Sequence, residues 1–264
     1  MDSTARKRFL ADYTKIRHAE GRGSTDAAYY RELPYRDLSG NNAAQWRIRA
    51  CSFRYFERKI LRRMEGEARR PLRILDLGAG NGWMSWRLAL RRHWVVALDI
   101  FQDERDGLGA LSRYPVPLAG VAAEFDLLPF GDASFDAVIF NSSFHYSSNY
   151  VRTLREARRC LRPAGRLVIM DSPLYECSEH GEMMRAERHA QFENLYGFRS
   201  EAQQSIEYLD RQMLDELACE LKIEWQIRRP WYGVHWALRP LRARLGGRRP
   251  PSNFVILTGR FRER

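Results

Sequence analysis

The run Ile74-Leu75-Asp76-Leu77-Gly78-Ala79-Gly80-Asn81-Gly82 constrains this chain more than any other stretch. A short buried-type strand carrying one acid enters a turn with glycines at alternate positions, and a helical pattern starts at once. Without side chains the turn can be tight, and its backbone can approach a ligand at the carboxyl end of the strand. From Pro71 onward apolar runs alternate with amphipathic stretches, the pattern of an α/β fold around a mainly parallel sheet. The pattern predicts strands over 72–77, 94–100, 120–125, 135–141, 166–171, 223–228 and 253–261. Helices are predicted over 82–91, 103–113, 149–161, 179–194 and 209–221. In the third of these, Val151, Leu154, Ala157 and Leu161 recur at helical spacing with arginines opposite, and Pro163 and Gly165 then end the helix and turn the chain.

Residues 1–70 read differently, as a helical cap. A helix over 4–19, the loop at Gly21–Gly23, the pair Tyr29-Tyr30 and a long helix over 43–66 follow one another, and Trp46, Phe53, Phe56, Ile60 and Met64 form one apolar stripe on that last helix. The 264 residues thus divide into a cap, 1–70, and an α/β domain, 71–264, with an insertion at 172–205 after the fifth strand. No apolar run approaches the roughly 20 residues of a membrane span, and no secretory signal opens the chain, so the cytoplasm is the expected compartment. The four cysteines, Cys51, Cys160, Cys177 and Cys219, contain no CxxC pair. Cys177, His180 and His189 match no strong zinc spacing, and no metal site is expected.

Asp99 closes the second predicted strand, about 20 residues beyond Gly78, where an acid grips a ribose diol in nucleotide-binding α/β folds. A dinucleotide fits less well, because its fingerprint needs a third glycine where this chain has Trp83. The alternating glycines instead resemble the acid-x-Gly-x-Gly-x-Gly loop of class I S-adenosylmethionine-dependent methyltransferases. The segment 123–136, which contains Leu128-Pro129-Phe130 and Ser134-Phe135-Asp136, is similar to a signature of the methyltransferase type 11 family, which includes ubiquinone and menaquinone biosynthesis enzymes.

The resemblance covers roughly 72–172. It implies a Rossmann-like sheet of seven strands, the last antiparallel and inserted beside the sixth. It also implies S-adenosyl-L-methionine as cofactor and S-adenosyl-L-homocysteine as product. By the same resemblance Asp76, Gly78, Ala79, Gly80 and Gly82 flank the methionine and ribose, Asp99 and Ile100 hold the ribose, and Glu124 and Phe125 meet the adenine. Asp126 is the alternative to Glu124 by a register shift of two. Asn141 and Ser142 lie beside the methionine, and Tyr30 folds over from the cap with the segment Trp46–Arg49.

Methyl transfer from a sulfonium is an in-line displacement with an activated leaving group, so alignment and exclusion of water matter most and a base is optional. His145, after the fourth strand, is the first candidate base, and Asp171, after the fifth, is the second. The insertion 172–205 is expected to form a lid over the acceptor. A small molecule is the leading acceptor class. The formal charge of +11, with only four of 44 basic residues lysine, keeps RNA open as an alternative. A lipid-linked or quinone-like acceptor at a membrane surface is another, through the basic, aromatic stretch 231–249. A catalytically silent S-adenosylmethionine-binding protein is the alternative outside enzyme function.

Overall fold

The computed structural model describes residues 3–197 and 205–262. One sheet contains seven strands: β1 (Arg73–Leu77), β2 (Trp94–Asp99), β3 (Ala119–Ala122), β4 (Phe135–Asn141), β5 (Leu161–Met170), β6 (Ile223–Arg228) and β7 (Ile256–Phe261). Their order across the sheet is β3-β2-β1-β4-β5-β7-β6. The first five are mutually parallel, and β7 runs antiparallel between β5 and β6. This is the seven-stranded class I arrangement expected from the sequence. Strand order reverses between β1 and β4, which opens a crevice at their carboxyl ends.

Alternation along the central strands divides the core in two. Ile74, Ala137, Ile139, Val168 and Met170 face one side, where they join Trp46, Phe53, Phe56, Ile60, Met64 and Trp83. Leu75, Leu77, Val138, Phe140, Leu167 and Ile169 face the other, against Leu154, Ala157, Leu214 and Leu217. The first layer is built by α3 (Ala43–Phe56), which continues through a π turn (Glu57–Leu61) into α4 (Arg62–Ala68), and by α5 (Trp83–Leu90). The second is built by α6 (Tyr150–Cys160) and α8 (Arg211–Leu221). Asn149 caps α6 by accepting from the Arg152 N–H, and Asp210 caps α8 by accepting from that of Met213. Before α3 come α1 (Ser3–Ala19) and α2 (Ala27–Glu32); α7 (Ser178–Tyr196) lies in the insertion, and α9 (Val234–Ala237) and α10 (Arg239–Leu245) precede β7. Among the described residues no helix is long and apolar enough to cross a membrane.

Four elements differ from the sequence reading. β5 begins at Leu161 rather than 166, because Leu161 pairs with Phe135 of β4, so Pro163 and Gly165 lie within the strand instead of in a turn before it. Residues 103–107 are not helical, and only Leu108–Arg113 forms a 3-10 helix. The Asp103 carboxylate accepts from the N–H groups of Arg105 and Asp106, a side-chain turn that competes with helix. β3 stops at Ala122, so Glu124 and Phe125 stand in a loop rather than a strand, and the Leu127 N–H turns back to the Glu124 carbonyl. The last strand begins at Ile256 rather than 253, because Asn253 bridges to Leu174 in the insertion instead.

Candidate functional site

The three glycines of the turn all have positive φ, but each answers a different need. A Cβ on Gly78 would stand 2.3 Å from that of Ser143, so β1 and the loop after β4 touch only because Gly78 has none. A Cβ on Gly82 would meet Leu111 at 2.1 Å. One on Gly80 would meet only the Asp106 carbonyl, at 3.6 Å. Gly80 therefore faces open space, a cavity of about 850 Å³ at the carboxyl ends of the strands. That volume is toward the upper end for small-molecule sites.

Asp99 fixes this wall from beneath. Its carboxylate accepts from the Gly80 N–H at 2.8 Å and the Phe101 N–H at 2.9 Å. Burial pushes its pKa up, while those backbone donors pull the other way. Ile100, Phe101, Glu124, Phe125 and Asp126 line the cavity beside it. Asp126 is paired with Arg152 at 3.1 Å.

The opposite wall is chemically distinct. Asp76 is 1% exposed; one carboxylate oxygen accepts from Ser85 Oγ at 2.7 Å and the other has no hydrogen-bond partner. Burial, with help from the Asp99 charge, pushes its pKa up to about 7 despite Ser85. Asn141 Oδ1, also on the cavity wall, is buried without a partner as well. Ser142, next along, has φ +56°, a strained conformation outside glycine, and accepts a weak contact from Arg49 at 3.4 Å. Arg49 reaches in from α3 over the Trp46 ring, 4.8 Å from its centroid, and no carboxylate lies within ion-pair distance of it among the described residues. Burial and the charges of Arg22 and Arg17 lower its pKa to about 10. Two orphaned oxygens and one cation with no carboxylate at ion-pair distance among the described residues thus share this end of the cavity, a set that suits the ammonium and carboxylate of an amino acid.

The structure brings Asp76, Gly78, Ala79, Gly80, Asp99, Ile100, Glu124, Phe125, Asn141 and Ser142 into the lining of one cavity. It places four other expected residues elsewhere. Gly82 packs on Leu111 outside the lining. Tyr30 is fully buried, its hydroxyl lying within hydrogen-bond distance of the Ser24 and Arg105 carbonyls, to one of which it donates, while it accepts from the Ser24 N–H. His145 is buried behind the wall, with Nδ1 3.2 Å from Ser172 Oγ, and burial pushes its pKa down to about 3. Asp171 is buried against Ser52 Oγ at 2.5 Å, and burial raises its pKa to about 6.

The sequence reading missed Tyr146. The short 3-10 helix Phe144–Tyr146 turns His145 inward and presents Tyr146 to the cavity. Burial alone would raise this phenol's pKa; the guanidiniums of Arg188, Arg17, Arg22 and Arg49 outweigh it and hold the value below 10. Only the adjacency to His145 hinted at it. From the cap, Tyr13, Ile16 and Arg17 of α1 and Trp46 and Arg49 of α3 close one flank, and Arg188 and Phe192 of α7 close another. Part of the expected lid, 198–204, lies outside the described residues. Cys177 sits 3.3 Å from His180, while His189 bonds Glu207 at 2.8 Å, so the two histidines have separate partners. No cluster able to hold a metal occurs among the described residues.

Residues 75–169 match the family model of a methyltransferase domain. Over 101 residues the chain is 37% identical to a malonyl-acyl-carrier-protein O-methyltransferase of Erwinia pyrifoliae, covering 37% of this chain and 36% of the relative. Over 102 residues it is 37% identical to a demethylmenaquinone methyltransferase of a Mycobacterium species, covering 38% and 41%. The chain thus aligns with about two fifths or less of the length of these curated relatives. A solved structure from Thermotoga maritima, described as a SAM-dependent methyltransferase and possible histamine N-methyltransferase, has the same fold. It matches with a TM-score of 0.53 at 15% identity, over 84% of this chain and 96% of that one.

Proposed function

We propose that this protein transfers a methyl group from S-adenosyl-L-methionine to a small-molecule acceptor, releasing S-adenosyl-L-homocysteine. The observation that carries the reading is the division of the cavity into two ends: Asp99 with the glycine turn at one, and Asp76, Asn141 and Arg49 at the other. A nucleoside joined to an amino acid needs that pairing of functions in one cavity. When bound, the cofactor supplies an electrophilic methyl on a sulfonium whose leaving group is already activated.

The chain's own residues bind, orient and shield. Asp99 has lone pairs left after its two backbone bonds and accepts the ribose hydroxyls, while Ile100 and Phe125 flank the base with apolar surface. The orphaned oxygens of Asp76 and Asn141 take the ammonium, and Arg49 takes the carboxylate. Tyr13, Trp46 and Phe192 exclude water at the reacting end. Tyr146, in its phenolate form and rather than His145 or Asp171, takes the proton where the acceptor has one to lose and becomes the neutral phenol, because it alone of the three lines the cavity.

A small acceptor is favoured over RNA because the cavity arginines are mostly engaged. Arg17 pairs with Asp106, Arg22 with Glu20 and Arg152 with Asp126, so among the described residues of the cavity these arginines form no open cationic track for a phosphate backbone. Calorimetric titration with S-adenosylmethionine and S-adenosylhomocysteine, then a screen of phenols, amines, thiols, quinones and bulk RNA with methyl-labelled cofactor, tests the reading. Binding of both nucleosides and labelling of a small acceptor is the expected result. Tighter binding of a nicotinamide dinucleotide would overturn it, and binding without turnover on any acceptor would leave a silent cofactor-binding protein.

A further inference from the structure

The segment before β7 reverses the usual arrangement of a surface helix. Trp231, Val234, Leu238, Leu241 and Leu245 recur at alternating spacings of three and four, which is one face of a helix. In the structure α9 and α10 follow one another through Leu238, whose backbone is itself helical, so Val234, Leu238, Leu241 and Leu245 form one stripe, with Trp231 just ahead of it in the non-helical segment before Gly233. All five side chains face solvent, from 39% exposed at Leu238 to 80% at Leu245.

The inward contacts are made by other residues. Tyr232 bonds Ser52 Oγ at 2.8 Å, the Trp231 carbonyl lies 2.9 Å from Cys51 Sγ, and Trp236 packs on Phe254 and under the Arg239 guanidinium. Arg239 and Arg249 reach back to the Ser252 carbonyl and the Glu187 carboxylate. The segment is thus held to the body with its aliphatic stripe turned out. Arg242, Arg244 and Arg248 border that stripe and are exposed. No acid occurs between Glu224 and Glu263, whereas nine arginines do.

We propose that the surface formed by α9 and α10 docks on an anionic membrane, with the aliphatic stripe entering the headgroup–acyl boundary and the arginines meeting lipid phosphates. Exposed apolar residues flanked by cations and free of anions complement such a surface on both counts. Single-stranded RNA is less well matched, since it needs successive aromatic platforms, and here Tyr232 and Trp236 are turned inward and Trp231 stands alone among aliphatic side chains. The docked segment is bonded to α3, the helix that also carries Trp46 and Arg49 to the cavity. Membrane attachment needs no cofactor, so it stands or falls separately from methyl transfer.

The test is sedimentation of the full chain with vesicles of phosphatidylcholine and phosphatidylglycerol, beside vesicles of phosphatidylcholine alone. Partition onto the anionic vesicles, weakened by added salt, is expected. The double variant Leu241→Glu/Leu245→Glu should partition roughly tenfold less or worse, with an unchanged melting temperature because both side chains are exposed. Arg242→Glu/Arg244→Glu should lose the preference for anionic lipid. Equal behaviour of wild type and the leucine double variant, or no partition at all, would overturn the proposal. So would RNA binding without vesicle binding. A wild-type dimer that ignores vesicles and dissociates on Leu241→Glu/Leu245→Glu would assign the stripe to a second copy instead.

Discussion

Asp76→Asn should stabilise the unliganded protein above neutral pH and weaken cofactor binding at the same time. Asp76 has one oxygen bonded to Ser85 and one without a partner, and its pKa rises from 3.8 to about 7, first through burial. A carboxyl whose pKa is raised by folding contributes fully to stability below its unfolded pKa and loses that contribution as pH climbs through the folded value. Between about pH 4 and pH 7 the wild type therefore loses stability. A difference of about three in pKa corresponds to on the order of 4 kcal/mol. Asparagine keeps an acceptor for Ser85 and carries no charge, so the variant should match wild type near pH 4 and exceed it near pH 8. Losing the charge-assisted bond to an ammonium should weaken cofactor affinity by about 1.5–3 kcal/mol, roughly tenfold to 150-fold. Denaturant unfolding of the unliganded protein across this pH range, with calorimetric titration of S-adenosylhomocysteine at pH 8, reads both effects. A variant that loses stability at pH 8 while binding the nucleoside normally would refute the argument and make Asp76 a structural acid.

Two glycine variants should separate packing from binding. Both glycines have positive φ, which costs a side chain about 1–2 kcal/mol at either position. Gly80→Leu should still fold and lose cofactor affinity, because its side chain enters the cavity, whereas Gly82→Ala should lose more stability, because its Cβ also meets Leu111, and keep most of its affinity, as melting curves and titrations of both would show. Arg49→Met should lower cofactor affinity by about 1.5–3 kcal/mol with little change in melting temperature, and unchanged affinity would remove Arg49 from the amino-acid end. With an acceptor in hand that loses a proton on methylation, Tyr146→Phe should lower kcat about 10²–10⁴-fold at near-constant cofactor affinity and flatten the rise of rate with pH. His145→Ala should leave that rise in place; the opposite result for the pair would return the base to the histidine.

Much of the fold was legible because its signals are local. Each central strand is an apolar run whose neighbours in sequence face opposite layers, so Ile74 and Leu75 enter different halves of the core with no further information. The misread elements are those decided by longer-range partners. Residues 103–107 carry a helical pattern, but the Asp103 side chain captures two backbone N–H groups and Arg17, far away in sequence, bonds Asp106. Residues 253–255 are apolar enough for a strand, yet Asn253 is claimed by Leu174.

The candidate site divides along the same line. Its cofactor wall follows the ends of successive strands, so spacing along the chain translates into position, and Asp76, Asp99 and Asn141 each sit one residue inside or at a strand terminus. The acceptor side has no such ruler. It is assembled from α1, α3 and α7, whose approach depends on packing that no short motif encodes, and a one-residue rotation in a 3-10 turn is enough to exchange His145 for Tyr146 at the wall. That exchange also changes the chemistry. A histidine there would titrate near neutrality without help, whereas a phenol needs cations around it to ionise more readily. Four arginines surround Tyr146 to that effect, and they come from the cap and the insertion rather than from the sheet. The elements that complete this side of the cavity therefore also set the character of the Tyr146 hydroxyl, and variation in α1 or the insertion would retune it, whereas variation in α3 would also reach Arg49 at the amino-acid end.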